Sequence, residues 1–367
     1  MVDLLLYFSV CLLLSQTIND RTKRFDNRLV GLSRDLMSTA SYLILMLVII
    51  LFTGLRTTYN DTMTYTEGYA LVNADNFGIK DVFRNNGGFN LFQVIIKTLM
   101  GSDPQNLIFV SGVVTTLLYV PFLIKYSDDF KTSLFWFLIG QGMFCMAGIK
   151  QAISMGIALY SLEKYIQRRY SHSIILLWLA FSFHPHVLCL VVAPLLMKRS
   201  WSQTTVLVSM GIVALFGNLD FLFDTFGDLA RDLSADYSIN PLRVVVCSIP
   251  VVISFLYKKQ INNSRDLILI LGVNMNIISF LFIILGFFFS PIYMGRMSLY
   301  FDLISFLYIP KLIKTTIGKQ GTFYSMSYYL LFFMFFMCDM NKGGFGSFFN
   351  DRFHHINLFT YLSSLGD

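Results

Sequence analysis

Two histidines stand on either side of a proline in an apolar stretch, LAFSFHPHVL, between Leu179 and Leu188. A helix break at Pro185 would free backbone polar groups and direct the rings of His184 and His186 into a cavity. An imidazole with a pKa of about 6.5 can act as a base at neutral pH, although one of the two rings could be structural. Two histidines without an acidic third ligand at a fixed spacing are a weak metal signal, so we predict no metal site.

A second group of candidates follows an apolar segment, where the sequence reads GLRTTYNDTMTY. This stretch contains Arg56, Asp61 and Tyr65. The planar fork of a guanidinium suits a phosphate or a carboxylate. An arginine that snorkels from the end of a span towards the lipid headgroups is the alternative interpretation.

Two further clusters place cations inside or beside apolar segments. Lys150 and Gln151 open one segment, where the lysine would either reach the headgroups or bind an anion. Arg296 and Tyr300, one helical turn apart, share a face of another segment, and Asp302 follows them and needs a partner, for which an internal ion pair is the simplest. A charged side chain that faces lipid costs about 2.5–3.5 kcal/mol, so each cation requires a partner, a water-filled cavity or a substrate.

The composition indicates that membrane helices position these residues. Of 367 residues, 55% are hydrophobic and only 14% are charged, against about 25% in soluble domains. We therefore predict an all-α, polytopic integral membrane protein. A single transmembrane domain would extend over residues 1–338 without an internal repeat, and a C-terminal tail, 339–367, would lie outside. The net charge of +6 is spread over short loops, which argues against a nucleic-acid-binding face.

The hydropathy pattern predicts roughly 10–12 transmembrane helices. Several candidate segments are shorter than the roughly 17–25 residues that a full crossing needs, so some would be short or re-entrant. The candidate segments are 3–18, 36–54, 103–124, 132–147, 150–165, 172–184, 186–197, 203–219, 242–257, 267–289, 297–310 and 322–338.

The positive-inside rule places the N-terminus outside, because the basic clusters of the short loops then share the cytoplasmic side. In that orientation Arg56, Lys150, His184, His186 and Arg296 all lie at or near the outer face. They come from four separate regions of the chain. Their convergence on one side predicts a functional site there.

Two regions, 132–163 and 172–197, could each form a hairpin of two short helices or one long kinked helix. The kinked alternative would place Lys164, Arg168 and Arg169 outside. We favour the hairpins, because that basic run belongs with the cytoplasmic loops.

Two outer loops, 55–100 and 220–240, are long. In the first, the apolar run 89–100 is too short to span and is typical of a re-entrant or interfacial helix. The second carries an aspartate at every fourth position, which aligns the carboxylates along one helical face. A solvated surface helix is the simplest interpretation, and a sugar-contacting face or a cation site is the alternative. The aspartates are Asp220, Asp224, Asp228, Asp232 and Asp236.

Four motifs carry the candidate residues, in the order GLR-x4-D-x3-Y (Gly54–Tyr65), GIKQAISMGIALYS (Gly148–Ser161), LAFSFHPHVL (Leu179–Leu188) and GRMSLYF (Gly295–Phe301). As an ordered set, over roughly residues 1–320, they resemble the EpsG family of Wzy-type polysaccharide polymerases. The family usually has Arg-Gln where this chain has Lys150–Gln151, which keeps the charge but loses the bidentate fork. The family's histidine corresponds to His184, and His186 is left without an assigned role.

The resemblance implies a fold similar to the metal-independent, polytopic (GT-C-like) glycosyltransferases, and an enzyme without a cofactor. It would lie in the bacterial inner (cytoplasmic) membrane, with its active site facing the periplasm or the exterior. It would join undecaprenyl-diphosphate-linked oligosaccharide units into O-antigen, capsule or exopolysaccharide. A hydroxyl of the incoming unit would attack the anomeric carbon of the growing chain, and the lipid diphosphate would leave. Membrane lipids and a chain-length regulator are the other implied partners, and nucleic acid is not one.

The same resemblance implies roles for the candidate residues. The departing diphosphate needs cations at membrane depth, because its charge grows in the transition state. His184 is the first candidate for the base that accepts the hydroxyl proton, and Asp61 is the second. The two tyrosines would stack on sugar rings. The predicted substrate-binding residues are Arg56, Lys150, Gln151, Arg296, Tyr65, Tyr300 and His186.

Other membrane functions fit parts of this pattern. An exporter or flippase of lipid-linked oligosaccharide would need the same cations but no base, and such transporters often show internal repeats, which this sequence lacks. An O-antigen ligase shares the donor and is poorly separated by sequence. A membrane acyltransferase would be expected to carry an evident His–Asp pair. A polymerase is the predicted function, with an exporter or flippase and a ligase as the alternatives.

Overall fold

The computed structural model describes residues 2–18, 32–73, 78, 80, 86–217, 239–288, 291–317, 322–340 and 354–365. Within these ranges the chain is helical, and its extended pairing is limited to one isolated bridge between Arg56 and His355. The all-α prediction is confirmed. The aspartates of the predicted acidic face, at positions 220–236, lie outside the described residues, so that interpretation stays a prediction.

The chain forms two compact units, one comprising Met1–Leu188 with Asn341–Asp367 and the other comprising Cys189–Met340. A π-helical turn, Leu138–Gly142, joins two helices of the first unit, α6 and α7. The helices of the first unit are α1 (Val2–Ser15), α2 (Leu32–Gly54), α3 (Thr62–Leu71), α4 (Gly87–Met100), α5 (Pro104–Tyr126), α6 (Phe130–Phe137), α7 (Met143–Ala147), α8 (Ile149–Ile166), α9 (Tyr170–Phe183) and, near the C-terminus, α17 (Leu358–Ser364).

The boundary between the two units falls within a 3-10 helical segment, Pro185–Met197. The central helix of the second unit, Leu267–Leu285, is buried on most sides. At the start of this helix, the Lys311 ammonium lies 2.8 Å from the carboxylate of the capping residue Asp266. The helices of this unit are α10 (Gln203–Gly217), α11 (Pro241–Leu256), α12 (Lys258–Ser264), α13 (Leu267–Leu285), α14 (Pro291–Phe301), α15 (Ser305–Ile317) and α16 (Thr322–Met340). The central helix is α13.

The first unit is built around α8, most of whose side chains are buried. α5 lies beside it and runs in the same direction, because the Tyr119 hydroxyl donates to the Ala152 carbonyl at 3.0 Å and, further along both helices, the Lys125 ammonium meets the Glu163 carboxylate at 2.5 Å. Glu163 is buried, so the lysine provides the countercharge that a buried carboxylate requires. The Asp103 side chain caps the start of α5 by accepting a hydrogen bond from the backbone of the first turn.

α9 folds back along α8 in the opposite direction. The Ser161 hydroxyl donates to the Ser173 carbonyl at 2.8 Å near the start of α9, and the Ser154 hydroxyl donates to the Ala180 carbonyl at 2.8 Å near its end. Serine hydroxyls that bond across two apolar helices satisfy their own polarity and hold the helices in register. The end of α9 therefore lies beside the first turns of α8.

One end of the first unit collects the residues singled out above, and we call it the Arg56 end. There the Arg56 Nη2 donates to the Met146 carbonyl at 2.9 Å, and the Gln105 side chain donates to the Gly54 carbonyl at 2.7 Å. α7 thus ends where α5 begins, and α8 starts there and returns to the opposite end, which carries Lys125. The hairpin prediction for residues 132–163 is confirmed, since the two short segments cross the unit in opposite directions.

Two glycines permit close helix crossings at this end. A Cβ on Gly112 of α5 would lie 3.0 Å from the Gly54 Cα, at the end of α2. A Cβ on Gly88 of α4 would lie 2.8 Å from the Cβ of Ser182 in α9. Both approaches are closer than a larger residue allows, so these glycines set how tightly α2 and α4 pack.

Two described helices, α5 and α13, are long and apolar enough to cross a membrane, and α11 with α12, bent by 73° between them, could form a third crossing. Further apolar helices of 10–17 residues are Asp3–Ser15, Ser38–Gly54, Tyr170–Phe183, Pro185–Met197, Gln203–Ala214 and Ser327–Met337. Apolar helices in this number are consistent with a polytopic membrane protein, and the exact count of spans stays a prediction.

Candidate functional site

Arg56 lies just beyond the C-terminal end of α2 and is buried, with 1% of its surface exposed. Its guanidinium donates to the carbonyl of Thr53 and, at 2.9 Å, to the carbonyl of Met146. Both carbonyls belong to the last turns of helices, α2 and α7, where partial negative charge accumulates. The structure does not show the snorkelling arginine of the alternative interpretation. Arg56 instead ties two helix ends together.

One polar atom of the Arg56 side chain, Nε, is buried and has no hydrogen-bond partner among the described residues. Burial lowers the pKa of Arg56 to about 10, while Tyr59, Cys145 and Tyr65 lie close enough to raise it in part. The guanidinium therefore stays charged at neutral pH. Tyr65 is half-buried and is brought to the Arg56 end, as the GLR-x4-D-x3-Y spacing predicts.

The loop between Arg56 and α3 has an unusual backbone. Tyr59 and Asn60 adopt φ angles of 137° and 43°, in a region that favours glycine. Asp61 follows at the start of α3, is exposed, and does not cap the helix with its side chain. The loop thus presents the carboxylate of Asp61 to solvent while it holds Arg56 inside.

Lys150 occupies the second position of α8, directly after the break at Gly148. Its side chain is half-buried, and that of Gln151 is buried. The N-terminal end of a helix carries partial positive charge, and a cation placed there is unfavourable by about 0.3–1 kcal/mol. Lysine and helix end together form a positive region that favours an anion.

The histidine pair lies at the break that the sequence predicts. α9 ends at Phe183, His184 is extended with φ −154° and ψ 112°, and a 3-10 helix begins at Pro185. The Nδ1 atoms of His184 and His186 are 3.4 Å apart, and both rings are half-buried. At that distance one Nδ1 donates and the other accepts, so at least one of the two nitrogens is unprotonated.

The backbone of the histidine segment is attached to α8. The Ser154 hydroxyl, fully buried, lies 2.8 Å from the Ala180 carbonyl and 3.5 Å from the His184 carbonyl. Ser154 is one helical turn beyond Lys150 on the same helix. Lys150 and His184 are therefore held close to the same stretch of α8, and Met146, bonded to Arg56, directly precedes that stretch.

A row of aromatic rings gives a second connection between the arginine loop and the histidines. The Tyr65 ring lies 5.9 Å from that of Phe89, Phe89 lies 6.2 Å from Phe92, and Phe92 lies 6.1 Å from Phe183. Phe183 directly precedes His184. α3, α4 and α9 thus contribute to one aromatic surface from the Arg56 loop to the histidines, in which Tyr65, Phe92 and Phe183 are half-buried and Phe89 is buried beneath them.

The remaining predicted residues belong to the second unit. Arg296 is half-buried on α14, and Tyr300, one turn later on the same helix, is fully buried. Asp302 lies in the turn between α14 and α15 rather than within a helix. A fully buried Tyr300 does not offer its ring to a sugar in this conformation.

The second unit also contains an apolar cavity of about 460 Å³ between α10 and α13, lined by residues such as Val206, Met210, Val213 and Leu281. Its lining includes no ionisable side chain, so it is not a place for acid–base chemistry. Within the described residues, no group of three or more His, Cys, Asp and Glu side chains could hold a metal ion.

Sequence reasoning missed the contribution of the C-terminus. The end of the predicted outer tail, residues 354–365, packs on the Arg56 end, where His355 forms the isolated bridge with Arg56. Asn357 caps the short helix α17 by accepting from the Phe359 amide at 2.9 Å. The pattern of an asparagine before LFTYL could have predicted the helix, but not its docking site.

Comparison with known protein families gives a match over most of the chain. The model of the EpsG family matches residues 39–352, a range that contains Arg56, Lys150, His184 and Arg296. No curated protein and no solved structure matches the chain.

Proposed function

The chain belongs to the EpsG family, the family of Wzy-type polysaccharide polymerases and exopolysaccharide biosynthesis proteins, and we propose that it is the glycosyltransferase that joins undecaprenyl-diphosphate-linked oligosaccharide units into a surface polysaccharide. Its apolar helices place it in a membrane. In this proposal the reaction takes place at the outer face of the bacterial inner membrane. The Arg56 end of the first unit faces that side.

The observation that carries the proposal is the convergence of a cation, a base and an aromatic surface at the Arg56 end. Lys150 with the start of α8, the pair His184 and His186, and the row from Tyr65 to Phe183 come from separate helices that meet there. A glycosyl transfer between lipid-linked sugars needs these three elements: a charge for the diphosphate, an acceptor for the hydroxyl proton, and flat apolar faces for sugar rings.

In the proposed reaction an acceptor hydroxyl attacks the anomeric carbon of the growing chain. The new carbon–oxygen bond forms as the bond to the lipid diphosphate breaks, and the diphosphate leaves with the bonding electron pair. His184 accepts the hydroxyl proton, because a neutral imidazole is available in the pair and its backbone is fixed by Ser154. Asp61, exposed at the start of α3, is the second candidate for that base.

Lys150 is the proposed ligand of the leaving diphosphate. It is half-buried beside a helix N-terminus, so an anion there would relieve the unfavourable placement of a lysine against the helix dipole. Gln151, buried beside it, would support the turn. Arg296 lies on α14 of the second unit and stays a predicted diphosphate ligand on the basis of its motif alone.

The geometry of Arg56 supports an indirect role. Its guanidinium is buried and donates to the carbonyls of Thr53 and Met146. We therefore place it as the residue that fixes the ends of α2 and α7, and through them the start of α8 with Lys150. A direct contact with diphosphate would require the loop to open.

The test compares lysines at equivalent positions of two helices. Lys150 is the second residue of α8 at the Arg56 end, and Lys131 is the second residue of α6 at the opposite end, where it is exposed. A strain that lacks the gene is complemented with wild type, Lys150→Ala, Lys150→Arg and Lys131→Ala. Surface polysaccharide is separated on a gel, and the membrane level of each variant is measured.

We expect Lys150→Ala to leave single repeat units at the surface without long chains, and Lys150→Arg and Lys131→Ala to retain long chains. Normal long chains with Lys150→Ala would contradict the assignment of the cation. Loss of even single units in a strain that lacks the gene would instead indicate an exporter. Long chains that are made but not transferred to their final acceptor would indicate a ligase.

A further inference from the structure

The described C-terminal residues, 354–365, form several bonds with the Arg56 loop. The Thr57 amide donates to the His354 carbonyl at 2.7 Å, and the Ile356 amide donates to the Leu55 carbonyl at 2.9 Å. These two bonds flank Arg56 on either side. The loop that carries the buried arginine is therefore paired, backbone to backbone, with a segment about 300 residues later in the chain.

Side chains strengthen this pairing. The His354 amide donates to the Thr58 hydroxyl at 2.9 Å, and the His355 Nε2 lies 3.0 Å from the Phe52 carbonyl, in the last turn of α2. The His355 ring also packs on the Phe52 ring at 4.8 Å, and Phe52 stacks on Tyr7 of α1 at 3.9 Å. His355 thus holds the segment to α2, which is itself packed on α1.

Tyr361 anchors the other end of the segment. It is fully buried, and its hydroxyl donates at 3.0 Å to the side chain of Asn106, which is also fully buried at the start of α5. The Tyr361 ring packs on Phe109 at 4.9 Å, and the Ser364 hydroxyl lies 3.3 Å from the Asp103 carboxylate. A buried hydroxyl paired with a buried amide is costly to separate, because each group would lose its partner.

The first turn of α5 connects the two contacts. Between Asp103 and Asn106, which bind the C-terminal segment, stands Gln105, whose side chain donates to the carbonyls of Gly54 at 2.7 Å and Arg56 at 3.3 Å. The segment, the start of α5 and the arginine loop form one closed set of hydrogen bonds. Movement of the segment would therefore release the loop on two sides.

We propose that residues 354–365 form a strap that positions the Arg56 loop, with His355 and Tyr361 as its positioning residues. The strap lies beyond the residues that match the family model, 39–352. Its effect on polymerisation depends on the proposed function, but its effect on the loop does not. The strap acts as a fixed part of the site and does not open during the reaction.

The first measurement reports on the loop alone. Leu55, which is 7% exposed beside the strap, is replaced by cysteine in a full-length protein whose five native cysteines are replaced by serine. The rate of labelling by a small maleimide is compared in four backgrounds: the intact strap, Tyr361→Ala, Tyr361→Phe and a chain that ends after Phe353. Ser363→Ala is the control, because the Ser363 hydroxyl is exposed and bonds to Thr360 within α17.

We expect labelling of Leu55→Cys to rise about tenfold with Tyr361→Ala and with the truncation, to rise less with Tyr361→Phe, and to stay unchanged with Ser363→Ala. The order follows from what each change removes. Tyr361→Ala removes the ring and its hydroxyl, and the truncation removes the whole strap. Tyr361→Phe removes the hydroxyl alone, and Ser363→Ala removes no contact with the rest of the unit. Unchanged labelling after truncation would overturn the proposal whatever happens to the polysaccharide.

The second measurement restores the strap by a cross-link. Thr57→Cys and His354→Cys are neighbours in an antiparallel pairing, at a separation of about 5.5 Å that a disulfide can bridge. In the Tyr361→Ala background with Leu55 unchanged, oxidation should return long polysaccharide chains and reduction should remove them again, and Tyr361→Ala without the two new cysteines should not respond to either treatment.

The outcomes of these measurements distinguish a failure of the proposed strap from a failure of the proposed polymerase function. A cross-link in the otherwise unchanged chain that abolishes polymerisation until it is reduced would mean that the strap must open, which overturns the proposal. Faster labelling with normal long chains would support the strap as the element that holds the loop, and would contradict a need for the positioned loop in polymerisation. Absence of any polymerisation by the wild-type protein would contradict the proposed function, and the labelling would still decide whether the strap holds the loop.

Discussion

At the scale of single residues, the Arg56 end contains both half-buried polar side chains and one fully enclosed cation. Lys150, His184 and His186 are half-buried, whereas the guanidinium of Arg56 is enclosed and bonded to helix carbonyls. Two cations that look alike in sequence thus occupy different environments. Substitutions should distinguish them by whether activity falls alone or together with stability.

We predict that Arg56→Ala lowers both activity and thermal stability. The substitution leaves the carbonyls of Thr53 and Met146 without their donor, and a buried polar group without a partner costs about 1–3 kcal/mol. Lys150→Ala should lower activity with little change in stability. Thermal unfolding of the two variants in detergent measures the difference, and an unfolding temperature that is unchanged in Arg56→Ala would contradict the role of Arg56 as a tie between helices.

The histidine pair gives a prediction about pH. Because the two Nδ1 atoms are 3.4 Å apart and share one hydrogen, removal of His186 should change the protonation of His184 without removing the base. We expect His184→Ala to lower the polymerisation rate by about 10²–10⁴-fold, the usual contribution of a general base. His186→Ala should retain more activity and shift the acidic limb of the pH–rate profile.

The direction of that shift identifies the tautomer. If His186 donates to the Nδ1 of His184, the neutral His184 ring carries its hydrogen on Nε2 and has no free nitrogen for the hydroxyl proton, so His184 can be the base only when its own Nδ1–H donates to His186. In that arrangement the bond favours the protonated ring, so removal of His186 moves the acidic limb to lower pH. An acidic limb that stays in place in His186→Ala would show that the two rings are not coupled.

At the scale of elements, α8 organises the first unit. Its start carries Lys150, its second turn holds the histidine segment through Ser154, and its far end carries Glu163, paired with Lys125 of α5. α4 adds the aromatic rings Phe89 and Phe92 and lies against α9 through a glycine. The position of the aromatic surface therefore depends on one close helix contact.

We predict that Gly88→Ala disturbs this surface. The new methyl group would lie 2.8 Å from the Cβ of Ser182 and 3.0 Å from its backbone carbon, so α4 must move away from α9. Overpacking of this kind costs about 1–3 kcal/mol. Chain length on a gel and the unfolding temperature in detergent should both decrease.

Gly68→Ala is the matched control, since the space around a Cβ on Gly68 of α3 is open to at least 4 Å. It should leave chain length and unfolding temperature unchanged. Equal effects of the two substitutions would mean that α4 does not depend on its contact with Ser182.

At the scale of the whole molecule, the two compact units divide the predicted site residues. The first holds Arg56, Lys150 and the histidines, and the second holds Arg296 together with the apolar cavity of about 460 Å³. The orientation of the first unit in the membrane decides which side of the membrane its reaction can use.

Labelling of single cysteines tests that orientation. In a protein without its five native cysteines, Glu67→Cys lies on α3 at the Arg56 end and Arg169→Cys lies beyond the opposite end of α8, and both positions are exposed. We expect a membrane-impermeant maleimide to label Glu67→Cys in intact cells and Arg169→Cys only after permeabilisation, following the positive-inside rule. The reverse pattern would place the Arg56 end in the cytoplasm and contradict a reaction at the outer face.

The sequence by itself determined the helical class, the membrane setting, the break at His184 and Pro185, and the antiparallel course of residues 132–163. These features are local, because apolar composition, proline chemistry and basic loops act within a few turns of chain. Family membership follows from the same motifs in order. The meeting of Arg56, Lys150 and the histidines at one end could also be predicted, since the topology places the ends of successive crossings together.

Only the tertiary structure decided how those residues are used. A buried Arg56 bonded to Met146, a fully buried Tyr300, and a C-terminal strap paired with the Arg56 loop all depend on contacts between segments far apart in the chain. Such contacts leave no periodic pattern in the sequence. These contacts depend on which buried polar groups find hydrogen-bond partners once the helices have packed. A donor or acceptor that stays without a partner inside an apolar unit destabilises the fold.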